Sequence, residues 1–265
     1  MHKLSIRMCL LAMLLFVGVQ QGQSQIFKKK KKEKSEKPEK KKKGKIKEYK
    51  EVITEDAETQ NGLFSVHKVE EEWFFELPDS LLEEEILVTS RISGFVKGLN
   101  FGGAGVRSRP QQVIRWQKKD NNILLRSVSY NSVASFEDPV YESVKNNNFE
   151  PIVMSFDIKA MSDDSTSYVI DVSSLFTSDV QMIGPMSNAQ KKTFGIRGLD
   201  SKRSFINEMK AFPENVNVKH VLTYNGTSLP DNRVTGTMSI EMTQSFILLP
   251  ENPMQPRYFD PRVSY

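Results

Sequence analysis

Apolar and polar residues alternate in short runs separated by tight turn sequences, and this spacing constrains the fold more than any other feature of the chain. Strands joined by tight turns pair antiparallel, because parallel pairs need long crossovers. Residues 62–69 alternate with a period of two, and 73–77 offer a partner strand across the acidic turn Glu70-Glu71-Glu72. Pro78-Asp79-Ser80 starts a short helical turn, and 85–93 form a strong strand with Ile86, Val88 and Ile92 toward one face. Residues 112–117 and 123–130 read as a hairpin, as do 151–161 and 167–172 across Ser162-Asp163-Asp164-Ser165. A short helix is expected over 139–147, and Ser173 or Ser174 is suited to cap a turn through Leu175-Phe176. The stretch 177–201 reads as loop, with a short segment following at 204–212. Two further strands, 216–224 and 236–249, are linked across Asn225-Gly226 and Pro230-Asp231. The expectation is a mainly β fold of antiparallel sheets, sandwich or barrel-like, with a few short helices.

The amino terminus has a different logic. Lys3 and Arg7 precede 12 apolar residues, 8–19, and Gly22-Gln23-Ser24 follows as a small-x-small cleavage site. This reads as a signal peptide over 1–24, its core being well short of the ~20 residues that span a bilayer. The protein is therefore expected to be exported: periplasmic, on the outer surface, or secreted. Cleavage removes Cys9, the only cysteine, so the exported body must stand on its hydrophobic core without disulfides.

Residues 26–50 hold 14 Lys against 4 Glu. With Lys3 and Arg7 adding two charges, residues 51–265 must carry −8 for the whole to reach +4. The pI of 8.9 thus belongs to the lysine run, not to the folded part. Residues 25–45 have no apolar periodicity and self-repel, which predicts a disordered Lys-rich linker. It serves either as a soluble spacer or as a tether to an anionic envelope surface. Aromatic interleaving is absent between Phe27 and Tyr49, which argues against nucleic acid as a partner. Beyond the linker, the reading divides the chain into a small β module at 46–93, a larger β-rich domain at 94–250 and an extended connector at 251–265.

Catalytic chemistry finds little support. His67 and His220 lie 153 residues apart in predicted strands, and no His-Glu-x-x-His or Gly-x-Ser-x-Gly sequence occurs. The run 98–105 lacks the Gly-Lys-Ser/Thr ending of a phosphate loop. Its Gly102, Gly103 and Gly105 can let main chain approach a partner segment closely, and Arg107 and Arg109 can pair with a carboxylate. Asp163-Asp164-Ser165 reads as a turn, lacking calcium-loop spacing. Asn225-Gly226-Thr227 fits a glycosylation sequon and, preferably, a hairpin turn.

Gly94-Phe95-Val96-Lys97-Gly98-Leu99-Asn100-Phe101-Gly102-Gly103-Ala104-Gly105, followed by Ser108-Arg109-Pro110-Gln111-Gln112-Val113-Ile114-Arg115-Trp116, resembles the amino-terminal region of large exported bacterial zinc-dependent metalloproteases. Ser245-Phe246-Ile247-Leu248-Leu249-Pro250 and Asp260-Pro261-Arg262-Val263 are similar too. In that family, two modules of uncharacterised function precede a metzincin-like catalytic domain. The resemblance implies that zinc belongs only to a catalytic domain missing from this chain, with no catalytic residue, cofactor or metal ligand here. It implies a non-catalytic accessory region whose partners are the metalloprotease catalytic domain or its peptide substrate, the chain being a fragment of a truncated or split enzyme. The alternative is a free-standing periplasmic or surface binding module.

Overall fold

The computed structural model of the chain describes residues 46–99, 104–230, 235–250, 252 and 254–255. The signal predicted at 1–24, the linker at 25–45, Gly102, Gly103 and nearly all of the connector lie outside the described residues. In chain order the elements are α1 (Tyr49–Val52), β1 (Glu58–Gln60), β2 (Ser65–Val69), β3 (Glu72–Pro78), a 3-10 turn (Asp79–Leu81), β4 (Glu85–Gly94), β5 (Gln112–Lys119), β6 (Asn122–Val128), α2 (Tyr141–Asn147), β7 (Ile152–Met161), β8 (Ser167–Asp171) and α3 (Ser173–Thr177). There follow α4 (Asn188–Thr193), β9 (Ile196–Leu199), a second 3-10 turn (Ser201–Arg203), β10 (Phe205–Phe212), β11 (Asn215–Gly226) and β12 (Thr237–Leu248). Among the described residues no helix is long and apolar enough to cross a membrane.

The strands form one open antiparallel sheet in the order β1-β2-β3-β8-β7-β6-β5-β4-β12-β11-β10, with β9 pairing β11. The mainly β, antiparallel fold expected from the alternation is what forms. Strands from 46–93 and from 94–250 interleave: β3 pairs β8, and β4 lies between β5 and β12. Strand β7 changes partner midway, pairing β6 up to Asp157 and β8 from Ile158. Register shifts at Leu125/Arg126 and Ile158/Ala160 accompany that change, as bulges do where a sheet bends.

Because the sheet curls, its two ends meet. The Leu63 N–H donates to the Phe212 carbonyl at 2.7 Å. Gly62 makes this approach possible: a Cβ there would sit 2.5 Å from the Phe212 oxygen and 2.6 Å from its nitrogen. Backbone cannot yield as a side chain can, so Gly62→Ala should cost about 1–3 kcal/mol, the range for overpacking, read as a lower urea midpoint. An unchanged midpoint would mean that the two ends do not touch in solution.

Inside the curl lies the main core. Ile86 and Val88 of β4, Ile114 and Trp116 of β5, Ile123 and Leu125 of β6, Val216 and Val218 of β11, and Phe246 of β12 are all buried there. Alternation puts these residues inward while their neighbours face out. Phe75 is the aromatic hub, with ring centroids 4.7 Å from Phe64, 5.8 Å from Phe246, 5.9 Å from Phe176 and 6.4 Å from Trp116. A second cluster at the other end of the long strands holds Ile92, Leu222, Tyr224, Met238 and Ile240. On the opposite face of β3 and β8, α1 covers Phe74, Val169 and Ala160 with Ile53.

Three local readings need correction. The stretch 177–201 is not all loop, since it contains α4 and β9. A capping box starts α4: Ser187 Oγ accepts from the Gln190 N–H while Gln190 Oε1 accepts from the Ser187 N–H. Asn225-Gly226 is not a hairpin turn but the end of β11, where Asn225 pairs with both Thr237 and Gly198. Neither Ser173 nor Ser174 caps α3; Asp171 Oδ1 accepts the Ser173 N–H at 2.9 Å, and Ser173 Oγ accepts from the Trp73 N–H.

Candidate partner-binding surface

The glycine–arginine segment after β4 is described from residue 104 onward. Gly105 sits at φ +86° with nothing within 4 Å of a Cβ, so its backbone angle and not crowding calls for glycine. Its N–H donates to the Ile92 carbonyl at 2.7 Å, and its own carbonyl accepts from Arg91 Nη1 at 2.9 Å. Ile92 and Ser108 continue the ladder through Val106 and Ser90, so 105–108 runs along β4 as an edge segment. Arg107 is exposed there, opposite Arg91. Arg109 turns inward instead, donating from Nη2 to the Met186 carbonyl, and burial lowers its pKa. The two arginines therefore do not converge on one carboxylate.

Arg109, just before β5, joins side chains of the sheet in holding the strap between α3 and α4. Gln112 Nε2 donates to the Met182 carbonyl and Gln244 Nε2 to the Ile183 carbonyl, each at 3.0 Å. His220 Nδ1 lies 2.7 Å from the Phe176 carbonyl, which only accepts, so Nδ1 carries the proton. Its Nε2 is then the acceptor for Gln244 Nε2 at 3.0 Å, while Gln244 Oε1 accepts from Ser90 Oγ at 2.5 Å. Ser90, Gln244 and His220 thus form a buried polar row across β4, β12 and β11, between the two apolar clusters. Burial pushes the His220 imidazole down to about 4, so it stays neutral at physiological pH.

His67 is paired differently. Its Nε2 donates to Glu76 Oε2 at 2.9 Å, Thr59 Oγ1 lies 2.8 Å from Nδ1, and Tyr49 donates to Glu76 Oε2 at 2.8 Å. The hydrogen bond from His67 holds the Glu76 carboxyl below its ordinary value. Both histidines are spent on local partners. Among the described residues no group of three or more His, Cys, Asp or Glu is placed to hold a metal ion.

The most unusual surface is one the sequence reading passed over. Between β6 and β7 the chain exposes Tyr130, Val133, Phe136, Val140 and Phe149, and Ile152 opens β7; Phe136 is 83% exposed. Six large apolar side chains on one excursion are a patch and not scattered surface residues. Under it lies a cleft of about 520 Å³ walled by Tyr130, Val133 and Phe149. Arg115 braces the floor, bonding Glu85 at 2.9 Å and Glu150 at 2.8 Å. Tyr130 donates to Glu85, and burial with this bond pushes its phenol up to about 12. Arg126 donates to the Glu150 carbonyl at 2.7 Å and stacks 5.1 Å from the Phe149 ring. A second cleft, about 890 Å³, is lined by Leu81, Glu83, Glu84, Leu248 and Pro250 and shares Glu85 and Arg115 with the first. The available signal was the non-alternating apolar spacing of 130, 133, 136 and 140, which suits no strand.

Around the first cleft Glu85 and Glu150 are held in ion pairs with Arg115, while apolar side chains beside them face solvent. Comparison with known families gives two matches, a domain of unknown function (DUF5118) over residues 46–95 and a domain of unknown function (DUF5117) over residues 105–265. No curated protein and no solved structure matches the chain.

Proposed function

The chain belongs to the DUF5117 family, and from that premise we propose that it is the non-catalytic amino-terminal accessory region of an exported zinc-dependent metalloprotease. The observation that carries this reading is the apolar patch at 130–152, set on a rigid sheet and braced from below by Arg115. Such a patch serves a protein partner better than a small molecule, because its side chains stand out from the surface. The resemblance at 94–116 supplies the partner's class, a metalloprotease catalytic domain or the peptide presented to it. The tandem of two family models in the expected order supports the same assignment. The chain's contribution is to gate the cleft, assist folding or hold substrate beside it.

The test is direct. The full chain should hydrolyse no peptide substrate, with or without added zinc. Turnover that a chelator abolishes would overturn the reading, since it would place the metal centre within this chain.

A further inference from the structure

Where residues 105–108 run along β4, Arg107 stands directly opposite Arg91. The Ile92 N–H donates to the Val106 carbonyl at 2.9 Å and the Ser108 N–H to the Ser90 carbonyl at 3.0 Å, so the ladder bonds flank this pair and do not join it. In an antiparallel ladder that is the narrow, non-hydrogen-bonded position, with Cα atoms about 4.5 Å apart and side chains on one face. Ser90 and Ile92 are buried on the inner face of β4, so alternation puts Arg91 and Arg107 on the outer face, where both are exposed. Like charges in this position repel, and among the described residues no ion pair involves either arginine. Glu241 of β12, on the same face, is spent on Lys219 at 3.6 Å and Asn207 at 2.9 Å. Arg91 Nη1 donates to the Gly105 carbonyl at 2.9 Å, which aims its guanidinium and leaves the rest of the fork open.

We propose that Arg91 and Arg107 together hold the carboxylate of an Asp or Glu side chain on an extended peptide laid along the edge of residues 105–108. A carboxylate between the two guanidinium groups turns their repulsion into charge-assisted hydrogen bonds from both sides. Two observations select a peptide over an anionic lipid surface. The Arg107 N–H and C=O point away from β4, as the non-hydrogen-bonded position requires, and no backbone bond among the described residues uses either. They offer an added strand a donor and an acceptor beside the arginine fork, which a lipid headgroup cannot use in the same way. In addition, residues 51–265 carry −8, a charge that opposes docking on an anionic membrane but leaves a localised arginine pair free to take one carboxylate. Neither arginine lines either of the clefts described above, so the inference does not rest on the apolar patch or on the metalloprotease reading.

Fluorescence anisotropy tests it, with the full chain titrated at low salt into a labelled peptide of Thr-Glu repeats and, as control, a Thr-Gln peptide of equal length. The Glu peptide should bind about tenfold or more tightly than the Gln peptide, and Arg107→Gln should remove about tenfold, as loss of hydrogen bonds to a charged group does. Arg107→Lys keeps the charge but not the planar fork and should recover only part of the affinity. Because Arg107 is exposed and faces a like charge, Arg107→Gln should not lower the melting temperature. Peptide affinity unchanged in the Arg91→Gln, Arg107→Gln double variant would overturn the proposal and give the peptide to the lysine run at 26–50. A lower melting temperature in Arg107→Gln would also count against it, by making the pair structural. Vesicles of phosphatidylglycerol and phosphatidylcholine form the second arm. Vesicle binding that the double variant abolishes, without any binding of the Glu peptide, would transfer the arginines to a lipid headgroup and end the peptide assignment.

Discussion

Lowering the pH from 6.5 to about 4.5 should lower the melting temperature of the wild-type chain, and His220→Gln should remove that slope. Folding holds this imidazole neutral, with its pKa near 4, whereas the unfolded chain takes up the proton near 6.5. The unfolded state therefore binds more protons throughout the window, and stability falls as pH falls. A shift of this size corresponds to something on the order of 3 kcal/mol by pH 4, or very roughly 6–12 °C for a domain this large. Protonation would also set an N–H against the Gln244 amide, which already donates to Ile183. Glutamine at 220 can still donate to Phe176 and accept from Gln244 but does not titrate. Glu76 contributes separately and lower: its depressed carboxyl adds stability above about 4.5 that is lost as the group protonates below it. A flat wild-type profile between 6.5 and 4.5, or a slope retained in the variant, would show that the buried row is not closed as described.

Phe75→Ala should be among the most damaging single changes, costing about 3–5 kcal/mol. The ring is fully buried and meets four other aromatic residues drawn from four parts of the chain, so no single neighbour can fill the void. Phe136→Ala removes the same atoms from a side chain that is 83% exposed and should stay within about 0.5 kcal/mol of wild type. Chemical denaturation of both variants checks the contrast. Equal midpoints would place the hydrophobic core elsewhere.

Phe75 also marks what the sequence made legible. Period-two alternation identified β2 through β8, β11 and β12, because a strand with one face buried must repeat its apolar residues every second position. The alternation could not give sheet order: nothing local in Phe74 or Ile170 says that β3 pairs β8 across nearly a hundred residues. Short elements were illegible for a related reason. Ile196–Leu199 makes a strand only because β11 offers it an edge, and α4 announces itself through Ser187 and Gln190 alone. At the site, Gly105 and Arg109 stood out by residue type, but Arg109 is spent on a backbone carbonyl. The apolar patch was missed because the spacing of 130, 133, 136 and 140 excludes a strand but does not say whether those side chains are buried or exposed, which is a tertiary property.

The sheet order has a consequence for how these two family regions depend on each other. In the stretch 46–95 alone, β4 would have no strand partner, since it does not pair with β3, and β3 would lose β8. Residues 105–265 alone would lose the strand that joins β5 to β12 and fall into two half-sheets with bare edges. Either region without the other would leave strand edges unpaired, so the two complete a single sheet together.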